Sequence, residues 1–581
     1  MSLPSSDQEK HRPSVAENID LHHEPIKQQF DLDPADVAAH APLLRGRKLT
    51  AAVAFVAGTG FTLFGYDQGV MSSLITGNQF EGTFPEVVVE ASHPDHATLQ
   101  SFIIAIYEVG CLFGALSNLW VGDKLGRRSP LRARAEFLTG AILQTTAFSF
   151  SPLIFARIFT GYGNGLIVSD VPTCAQSPAE NKFVDIDSAN ISRGALPIRK
   201  EGPNDNDGGD FDCGWSNHCL CLVDLALFFV NWSSAQWRVP IALQLVFEII
   251  MVTCIGFLPE SPRWLVKRGR NAEAMAVISA MEDKAPADPE VQRTYYGIRE
   301  AVAVETSSQG SLRELTTGGR SQNFRRTVIA VVFMIMQQLT GINLVTFYAT
   351  ILFQRLGLSD VNARITAAAN GTEYFLASIA AYYAIDYVGR RQLMLIGAIG
   401  QCIVMLLLAV LGYIGNTPAQ IVSVVLLFGF NTFFAFGWLG LAWLYCAEIA
   451  GLRTRAPTNA LSTASNWTFN FVVVMIVGPA FNNISWRTYI VFAALNATIV
   501  PVVYFFFPET GGRSLEDLDV VFALAYITGE DPVKVSLRKD VPLAGSQEAD
   551  EILGVSPGVQ YHPTEKPPMP SSSPGKARTP V

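Results

Sequence analysis

The sequence is poor in charged residues. Of its 581 residues only 16% are charged, while 49% are hydrophobic, and a soluble domain usually carries about 25% charged residues. This composition argues against an ordinary soluble protein and indicates a chain that lies largely within a lipid bilayer. The sequence also has no basic stripe with interleaved aromatic residues, so nucleic acid is not an expected partner.

Metal-ligand and catalytic patterns are missing as well. The chain has 8 cysteines and 8 histidines, but Cys213, Cys219 and Cys221 lack metal-ligand spacing, and His93 and His96 belong to a polar loop. No nucleophile–base pair lies in the apolar segments. We therefore expect no metal, no cofactor and no enzymatic activity.

Long apolar runs are what the sequence does have. A helix that crosses a bilayer needs roughly 20 predominantly apolar residues, and no signal peptide precedes the first run. The well-defined runs are Thr50–Leu74, Leu99–Val121, Val239–Leu258, Val328–Phe353, Leu393–Ile414, Ile421–Leu444, Pro457–Val477 and Tyr489–Phe507, and the weaker ones are Phe137–Phe150, Leu153–Val168, Cys219–Val230 and Ile365–Ile385. We predict an all-α membrane protein with about twelve transmembrane helices.

Loop charges orient these helices. Basic residues cluster before the first span, in the loop 122–134, in the long loop 259–326 and around Arg390, whereas the first loop between spans carries acids only. The positive-inside rule then places both termini and the long loop in the cytoplasm. The membrane is expected to be the plasma membrane. The expected regions are a disordered tail 1–49, a bundle 50–258, the loop 259–326, a second bundle 327–507 and a tail 508–581.

Two short motifs each occur twice, in the same order. Asp123-Lys124-Leu125-Gly126-Arg127-Arg128 recurs as Asp386-Tyr387-Val388-Gly389-Arg390-Arg391, and Pro259-Glu260-Ser261 recurs as Pro508-Glu509-Thr510. Each first motif follows the second span of a half, and each second motif follows the sixth. We infer two parallel halves of six helices, and transporters commonly bind their substrate between such halves.

With these repeats, the chain resembles a sugar porter of the major facilitator superfamily, and is similar to fungal hexose and polyol transporters. The resemblance covers roughly 45–173 and 222–520 and implies the major-facilitator fold, two six-helix bundles and alternating access. The matching segments are Gly65-Tyr66-Asp67-Gln68-Gly69-Val70, both Gly-Arg-Arg loops, Pro259-Glu260-Ser261-Pro262-Arg263-Trp264-Leu265, Gln337-Gln338-Leu339-Thr340-Gly341-Ile342-Asn343 and Pro508-Glu509-Thr510-Gly511-Gly512-Arg513.

A buried acid and a buried base are candidates for proton coupling. Asp67 lies deep in the first span and Arg157 just inside the fourth, where a charge costs on the order of 2.5–3.5 kcal/mol. The resemblance pairs them and makes the acid a proton acceptor, so protonation would release the pair. The alternatives are a static ion pair and an Arg157 that extends to the membrane interface.

The candidate solute site consists of amides and aromatic rings. Gln337, Gln338 and Asn343 share one span, and amides both donate to and accept from sugar hydroxyls. Gln338 and Asn343 are about 140° apart on an ideal helix, so we expect unwinding near Gly341 to let both face one cavity. The resemblance adds Tyr374, Trp443, Asn466 and Trp467. The alternatives are interhelical bonds between amides and aromatic anchors at the membrane interface.

The resemblance also implies a cytoplasmic gate of exchanging salt bridges, whose alternative is ordinary positive-inside anchoring. Its members are Asp123, Arg127, Arg128, Glu260, Arg390, Arg391, Glu448, Arg455 and Glu509. Asn231-Trp232-Ser233 and Asn483-Ile484-Ser485 are glycosylation sequons in expected outer loops.

One segment departs from the family pattern. Twelve charged side chains fall between 180 and 212, and a lipid-exposed helix cannot carry them. We expect 174–218 to form no membrane helix and the fifth helix to be missing or truncated to Cys219–Val230, which would cover only about 18 Å.

These features predict a secondary transporter that moves a small polyhydroxylated solute, a sugar or polyol, together with a proton. A facilitative uniporter and a metabolite exporter are alternatives within the same class. A sugar sensor is the alternative from another class, although the short, low-complexity C-terminal tail argues against it.

Overall fold

A computed structural model of the chain describes residues 32–89, 95–125, 128–174, 232–307, 312–451, 454–544 and 546–554. The secondary structure within these ranges is helical and includes no strand, as the sequence predicts. The predicted interruption at 174–218 and the fifth helix at Cys219–Val230 lie outside the described residues, apart from Cys174, which ends a helix.

The first half contains five long described helices that follow apolar runs and two short helices. A short 3-10 turn, Pro85–Val87, precedes the second long helix. The helices are α1 Pro34–Ala39, α2 Arg47–Leu74, α3 Asn78–Thr83, α4 His96–Leu125, α5 Arg128–Thr145, α6 Phe150–Cys174 and α7 Ala235–Phe257.

Three helices and a 3-10 turn connect the halves. They are α8 Pro262–Lys267, α9 Asn271–Glu282, α10 Pro289–Ser307 and the turn Leu312–Thr316. Val37 of α1 is buried against this group, and the Gly46 N–H donates to the Ala280 carbonyl at 2.6 Å. The end of the expected disordered tail is thus partly helical, because Val37 finds an apolar surface there.

The second half repeats the pattern and continues into a folded tail. Its helices are α11 Asn323–Leu339, α12 Ile342–Phe347, α13 Ala349–Arg355, α14 Asp360–Val388, α15 Arg390–Ile414, α16 Thr417–Phe434, the π-helix Ala435–Leu439, α17 Leu441–Ile449, α18 Arg455–Ile484 and α19 Arg487–Phe506. The tail helices are α20 Leu515–Thr528, α21 Pro532–Ser536 and α22 Gln547–Leu553.

Among the described residues, seven helical segments are long and apolar enough to cross a membrane. They are α2, α4, α7, α15, the continuous segment Thr417–Ile449, α18 and α19. The strong run Val328–Phe353 is instead divided among α11, α12 and α13. The three weaker runs within the described residues, Phe137–Phe150, Leu153–Val168 and Ile365–Ile385, fall in α5, α6 and α14.

Glycines set the distance between α4 and α6. A Cβ at Gly110 would lie 2.3 Å from the Ile158 carbonyl oxygen, and one at Gly161 would lie 2.1 Å from the Tyr107 carbonyl oxygen. Small residues let membrane helices approach backbone to backbone. This contact holds the α6 segment that carries Arg157 directly against α4.

Candidate functional site

The amide-rich segment is broken at Gly341. Helix α11 ends at Leu339 and α12 begins at Ile342. Between them Gly341 has φ +93°, a left-handed conformation that glycine adopts without steric penalty. The predicted unwinding is therefore present, and it brings Gln338 and Asn343 together: the Asn343 Nδ2 donates to Gln338 Oε1 at 2.7 Å.

Four buried amides from three helices form one hydrogen-bonded series, which we call the amide chain: Asn466, Gln337, Gln338 and Asn343. Asn466 Nδ2 donates to Gln337 Oε1 at 2.6 Å, and Gln338 Nε2 donates to the same oxygen at 3.4 Å. Gln337 Nε2 in turn donates to the Trp438 carbonyl at 3.0 Å. The sequence named all four members, and the structure joins α11, α12 and α18 through them.

The predicted tryptophans lie on α17 (Trp443) and α18 (Trp467) and reach the other half of the molecule. Trp467 is buried and Trp443 is half-buried, and both pack with Tyr107 and Cys111 of α4. They therefore form an aromatic contact between the halves, and Trp467 directly follows Asn466 in the chain. Tyr374 is also buried, and its ring lies 6.4 Å from that of Phe434.

This arrangement suits a ligand that both donates and accepts hydrogen bonds. Each side-chain amide offers two N–H donors and a carbonyl oxygen with two lone pairs. The bonds within the amide chain use only part of that capacity, so a ligand hydroxyl can bond to an amide that already has one protein partner. Flat indole rings supply apolar faces against which the C–H side of a ring or polyol can pack.

Asp67 and Arg157 are both fully buried in the first half. Gln244 Nε2 donates to Asp67 Oδ1 at 2.7 Å, and Arg157 Nη2 donates to the Ile104 carbonyl at 3.3 Å. The guanidinium carbon lies 5.2 Å from the centre of the Tyr107 ring. The opposite charges of Asp67 and Arg157 attract each other, and each also has a neutral polar partner of its own.

Three buried polar residues near this pair are missing from the sequence prediction. Gln244 contacts Asp67 directly, and Glu108 and Glu248 are fully buried on α4 and α7. Glu108 is one turn beyond Ile104 on α4 and lies within electrostatic reach of Arg157. A visible signal existed, because both glutamates interrupt the well-defined apolar runs Leu99–Val121 and Val239–Leu258.

At one end of the second half, Glu509 caps helix α15. Its carboxylate accepts from the backbone N–H of Arg390 at 3.0 Å and of Arg391 at 3.1 Å. A carboxylate at a helix N-terminus is stabilised by the unpaired N–H groups there. The Arg390 side chain pairs with Glu448 at 3.3 Å, and Arg391 donates to the Tyr504 carbonyl at 2.7 Å.

The same end carries a second ion pair. Arg326 of α11 pairs with Asp519 of α20 and donates to the Ile449 carbonyl at 2.7 Å. Arg455 lies within electrostatic reach of Glu516 and Asp519. Sequence reasoning missed the Arg326–Asp519 pair because 193 positions separate its members.

The residues of the first half that are predicted to form the gate are less fully described. Glu260 lies half-buried between α7 and α8. Asp123 lies in α4 and Arg128 begins α5. Arg127 falls outside the described residues.

At the other end, the two halves contact each other. Tyr348 Oη donates to Ser101 Oγ at 3.0 Å or to the Val474 carbonyl at 3.0 Å. Arg364 Nη2 donates to the Thr76 carbonyl at 3.0 Å and to its Oγ1 at 2.8 Å. These bonds join α4 and the end of α2 to the second half. The two halves are therefore in direct contact at this end.

Of the two sequons, Asn483 lies exposed at the end of α18. Asn231 falls outside the described residues.

The chain matches a known protein family. The family model described as "Sugar (and other) transporter" matches residues 53–183 and 222–522. The unmatched residues between these two ranges, 184–221, largely coincide with the polar segment 174–218 that departs from the family pattern.

Individual relatives agree. The chain is 36% identical over 520 residues to "Sugar transporter STL1" of Saccharomyces cerevisiae, covering 87% of each chain. It is 34% identical to "MFS-type transporter oryC" of Aspergillus oryzae, covering 85% of this chain and 90% of the relative. Among solved structures, the xylose transporter XylE from E. coli, partially occluded and inward open, superposes with TM-score 0.64 at 21% identity, covering 80% of this chain and all of XylE.

The structural likeness confirms the predicted fold class, and the family match confirms the predicted resemblance. Members of this family are transporters rather than enzymes, which confirms the prediction of no enzymatic activity. The chain is a multi-pass membrane protein of the major facilitator superfamily and belongs to its family of sugar (and other) transporters.

Proposed function

We propose that this transporter is a symporter that carries a sugar or polyol together with a proton by alternating access. The observation that carries the proposal is the amide chain, which connects three helical segments of the second half and lies next to tryptophans that touch the first half. A ligand bound there contacts both halves, so it can favour one arrangement of the halves over another.

The chemistry of the amide chain favours a solute with several hydroxyl groups. Gln337, Gln338, Asn343 and Asn466 provide donors and acceptors, and Trp443 and Trp467 provide apolar faces. Tyr374 is proposed as a further hydroxyl at the site. Relatives named as sugar or high-affinity glucose transporters support this solute class.

Asp67 and Arg157 are proposed as the proton-coupling pair. A buried carboxylate is stabilised when a cation and a hydrogen-bond donor face it, and here Arg157 and Gln244 take these roles. Protonation of Asp67 removes its attraction for Arg157 and frees the guanidinium to change partners. XylE, which shares the fold, is a proton:xylose symporter.

The two clusters of polar contacts are proposed as alternating gates. The Glu509, Arg390 and Glu448 contacts lie at the proposed cytoplasmic side, together with both termini, whereas Tyr348 and Arg364 close the proposed outer side. Asp123, Arg127, Arg128, Glu260, Arg391 and Arg455 complete the proposed inner gate. We place the protein in the plasma membrane, with Asn483 and Asn231 as glycosylation sites on its outer face.

Uptake of labelled solutes into vesicles tests this function. The full chain is reconstituted, and a panel of hexoses, pentoses and polyols is offered with and without an inward proton gradient. Symport predicts that one or more solutes accumulate above the outside concentration only with the gradient.

Equal uptake with and without the gradient would indicate a uniporter and remove the proton from the proposal. Solute binding without any flux would instead favour a sensor. Outward movement of the solute driven by an inward proton gradient would indicate an exporter.

A further inference from the structure

Glu373 is an acidic residue in the middle of helix α14 that the proposed mechanism does not use. It lies about 20 Å along the helix from Asp360 and about 22 Å from Val388, at 1.5 Å per residue. Its side chain is half-buried, and Leu376 on the next turn is 59% exposed on the outer surface of the bundle. The carboxyl group is therefore at the depth of the membrane interior, beside the lipid-facing side of α14.

The carboxyl group touches one hydroxyl across a helix contact. Glu373 Oε1 and Thr432 Oγ1 of α16 are 2.5 Å apart. Glu373 Oε2 is buried and has no hydrogen-bond partner in the part of the chain that the structure describes. The Glu373–Thr432 contact links α14 to α16 at mid-membrane.

A proton on Glu373 fits the bonds around Thr432 better than a negative charge does. Thr432 Oγ1 also lies 3.2 Å from the Phe428 carbonyl, and its hydroxyl has a single proton to donate. If Glu373 is protonated, its O–H donates to Thr432, and Thr432 donates to the Phe428 carbonyl. An ionised Glu373 can only accept, so one of the two contacts loses its hydrogen.

No cation compensates a charge at this place among the described residues. The segments packed on α14 from one side, α16 and the π-helix Ala435–Leu439, contain no ionisable residue. On α13, Arg355 is bound to the Phe481 carbonyl and Asn482. An unpaired carboxylate in a membrane is unfavourable, and intramembrane acids usually serve a functional purpose.

The remaining charged and titratable groups belong to α14 itself and to α15. At the first turn of α15, Arg390 pairs with Glu448 and Arg391 donates to the Tyr504 carbonyl. On α14, Arg364 lies nine positions before Glu373 and is bound to Thr76. The other titratable residues of α14 and α15 are Asp360, Tyr374, Tyr382, Tyr383, Asp386, Tyr387, Cys402 and Tyr413.

Thr432 also connects Glu373 to the proposed solute site. The π-helix Ala435–Leu439 begins three residues after Thr432, and π-helical turns in α-helices are frequent at functional sites. Within it, the Trp438 carbonyl accepts from Gln337 of the amide chain at 3.0 Å. A change at the Glu373–Thr432 contact can thus shift the backbone that holds Gln337.

We propose that Glu373 is a second intramembrane proton-binding site, separate from Asp67, and that its proton holds α14 against α16 and so supports solute binding at the amide chain. The effect on solute binding rests on the proposed function, whereas the proton site itself does not. Loss of the proton leaves Thr432 with one hydrogen for two acceptors, Glu373 and the Phe428 carbonyl, so one of these two contacts is lost and the solute site is weakened.

A hydrophobic carbodiimide tests the proton site without any solute. A protonated carboxyl in apolar surroundings adds its O–H across one C=N bond of dicyclohexylcarbodiimide: the oxygen bonds the central carbon, and the proton passes to nitrogen. Migration of the acyl group to nitrogen then leaves a stable N-acylurea, which mass spectrometry locates on the peptide. The full chain in liposomes is treated over a range of pH, with Glu373→Gln as the control.

We expect the wild-type peptide to be modified at acidic and neutral pH, less so at alkaline pH, and the Glu373→Gln peptide not at all. An unmodified Glu373 at every pH, in a sample where another membrane carboxyl is modified, would overturn the proposal. Modification by a water-soluble carbodiimide alone would also overturn it, because the carboxyl would then face water.

The pH dependence of solute affinity tests the coupling. Wild-type affinity should fall roughly tenfold, or about 1.4 kcal/mol, from acidic to alkaline pH. Glu373→Gln imitates the protonated acid and should remove the Glu373-dependent part of this fall, whereas Asp67→Asn should retain that part. A Glu373→Gln curve identical to that of the wild type would overturn the coupling. Carbodiimide labelling without any transport would count against the proposed function alone.

Discussion

Replacement of Gln337 by leucine tests the amide chain at its centre. Gln337 Oε1 accepts from Asn466 and Gln338, and Gln337 Nε2 donates to the Trp438 carbonyl. Leucine has a similar size but removes every one of these bonds. The variant should therefore lose the ligand contact of Gln337 and also the alignment of its neighbours.

The size of the effect follows from hydrogen-bond energetics. Removal of one partner of a buried polar group costs about 1–3 kcal/mol, which corresponds to roughly 5-fold to 150-fold in affinity. Asn466 and the Trp438 carbonyl each lose a partner as well, so we expect solute affinity to fall toward the upper part of this range. The melting temperature should fall too, because three buried polar groups, Asn466, Gln338 and the Trp438 carbonyl, lose their bond to Gln337.

Gln401→Leu is the matched control. Gln401 is a fully buried glutamine on α15, and neither of its amide atoms has a hydrogen-bond partner within the described ranges. This variant should leave affinity unchanged and should not lower the melting temperature. Affinity is measured by equilibrium binding of a solute identified in the uptake panel, on folded, monodisperse protein. A folded Gln337→Leu variant with wild-type affinity would refute the assignment of the amide chain to solute binding.

Three further outcomes are expected. Asp67→Asn should abolish proton-driven accumulation and leave solute exchange, and accumulation unchanged from the wild type would remove Asp67 from coupling. Gly341→Ala should cost about 1–3 kcal/mol of stability, because φ is +93° and the new Cβ would lie 2.8 Å from Phe492 Cδ1; an unchanged melting temperature would contradict the need for glycine. Partial burial raises the pKa of Asp517, but hydrogen bonds from Ala544 and Ser514 outweigh it and hold this pKa below its ordinary value. Its contribution to the stability of the tail helices should therefore be present at neutral pH and be lost as the pH falls below about 4, which hydrogen exchange of α20 can follow with Asp517→Asn as the insensitive control.

Features that depend on local sequence were predictable. Apolar runs located the long helices, and repeated motifs indicated two halves. A glycine between two amide-bearing turns predicted the break at Gly341, because only the backbone preference of one residue is involved. The four amides were identified by their chemistry and by the family resemblance.

Features that depend on packing were not predictable. Averaging hydropathy over a long window hides a single acid, so Glu108, Glu248 and Glu373 were missed although each lies in an apolar helix. The Glu509 cap on α15 requires the end of one helix to meet the start of another, 119 positions away in the chain. Sequence spacing orders residues along one helix but does not say which helices touch.

The buried end of the N-terminal tail has the same origin. Residues 32–46 are polar enough to resemble a disordered segment, yet Val37 packs among the central helices. A single apolar side chain was not a sufficient signal in the sequence. The hydrogen bond from Gly46 to Ala280 then fixes the start of α2.

Solute-induced proton uptake is the most direct test of the central claim that one protein couples a hydroxyl-bearing solute to a proton through Asp67. The full chain is reconstituted in proteoliposomes that contain a trapped pH indicator, and the solute identified by uptake is added outside without any imposed gradient. The account predicts that the lumen acidifies when the solute is added, and that Asp67→Asn and Gln337→Leu both abolish this signal. Solute entry at the wild-type rate with no change of lumenal pH would contradict the account.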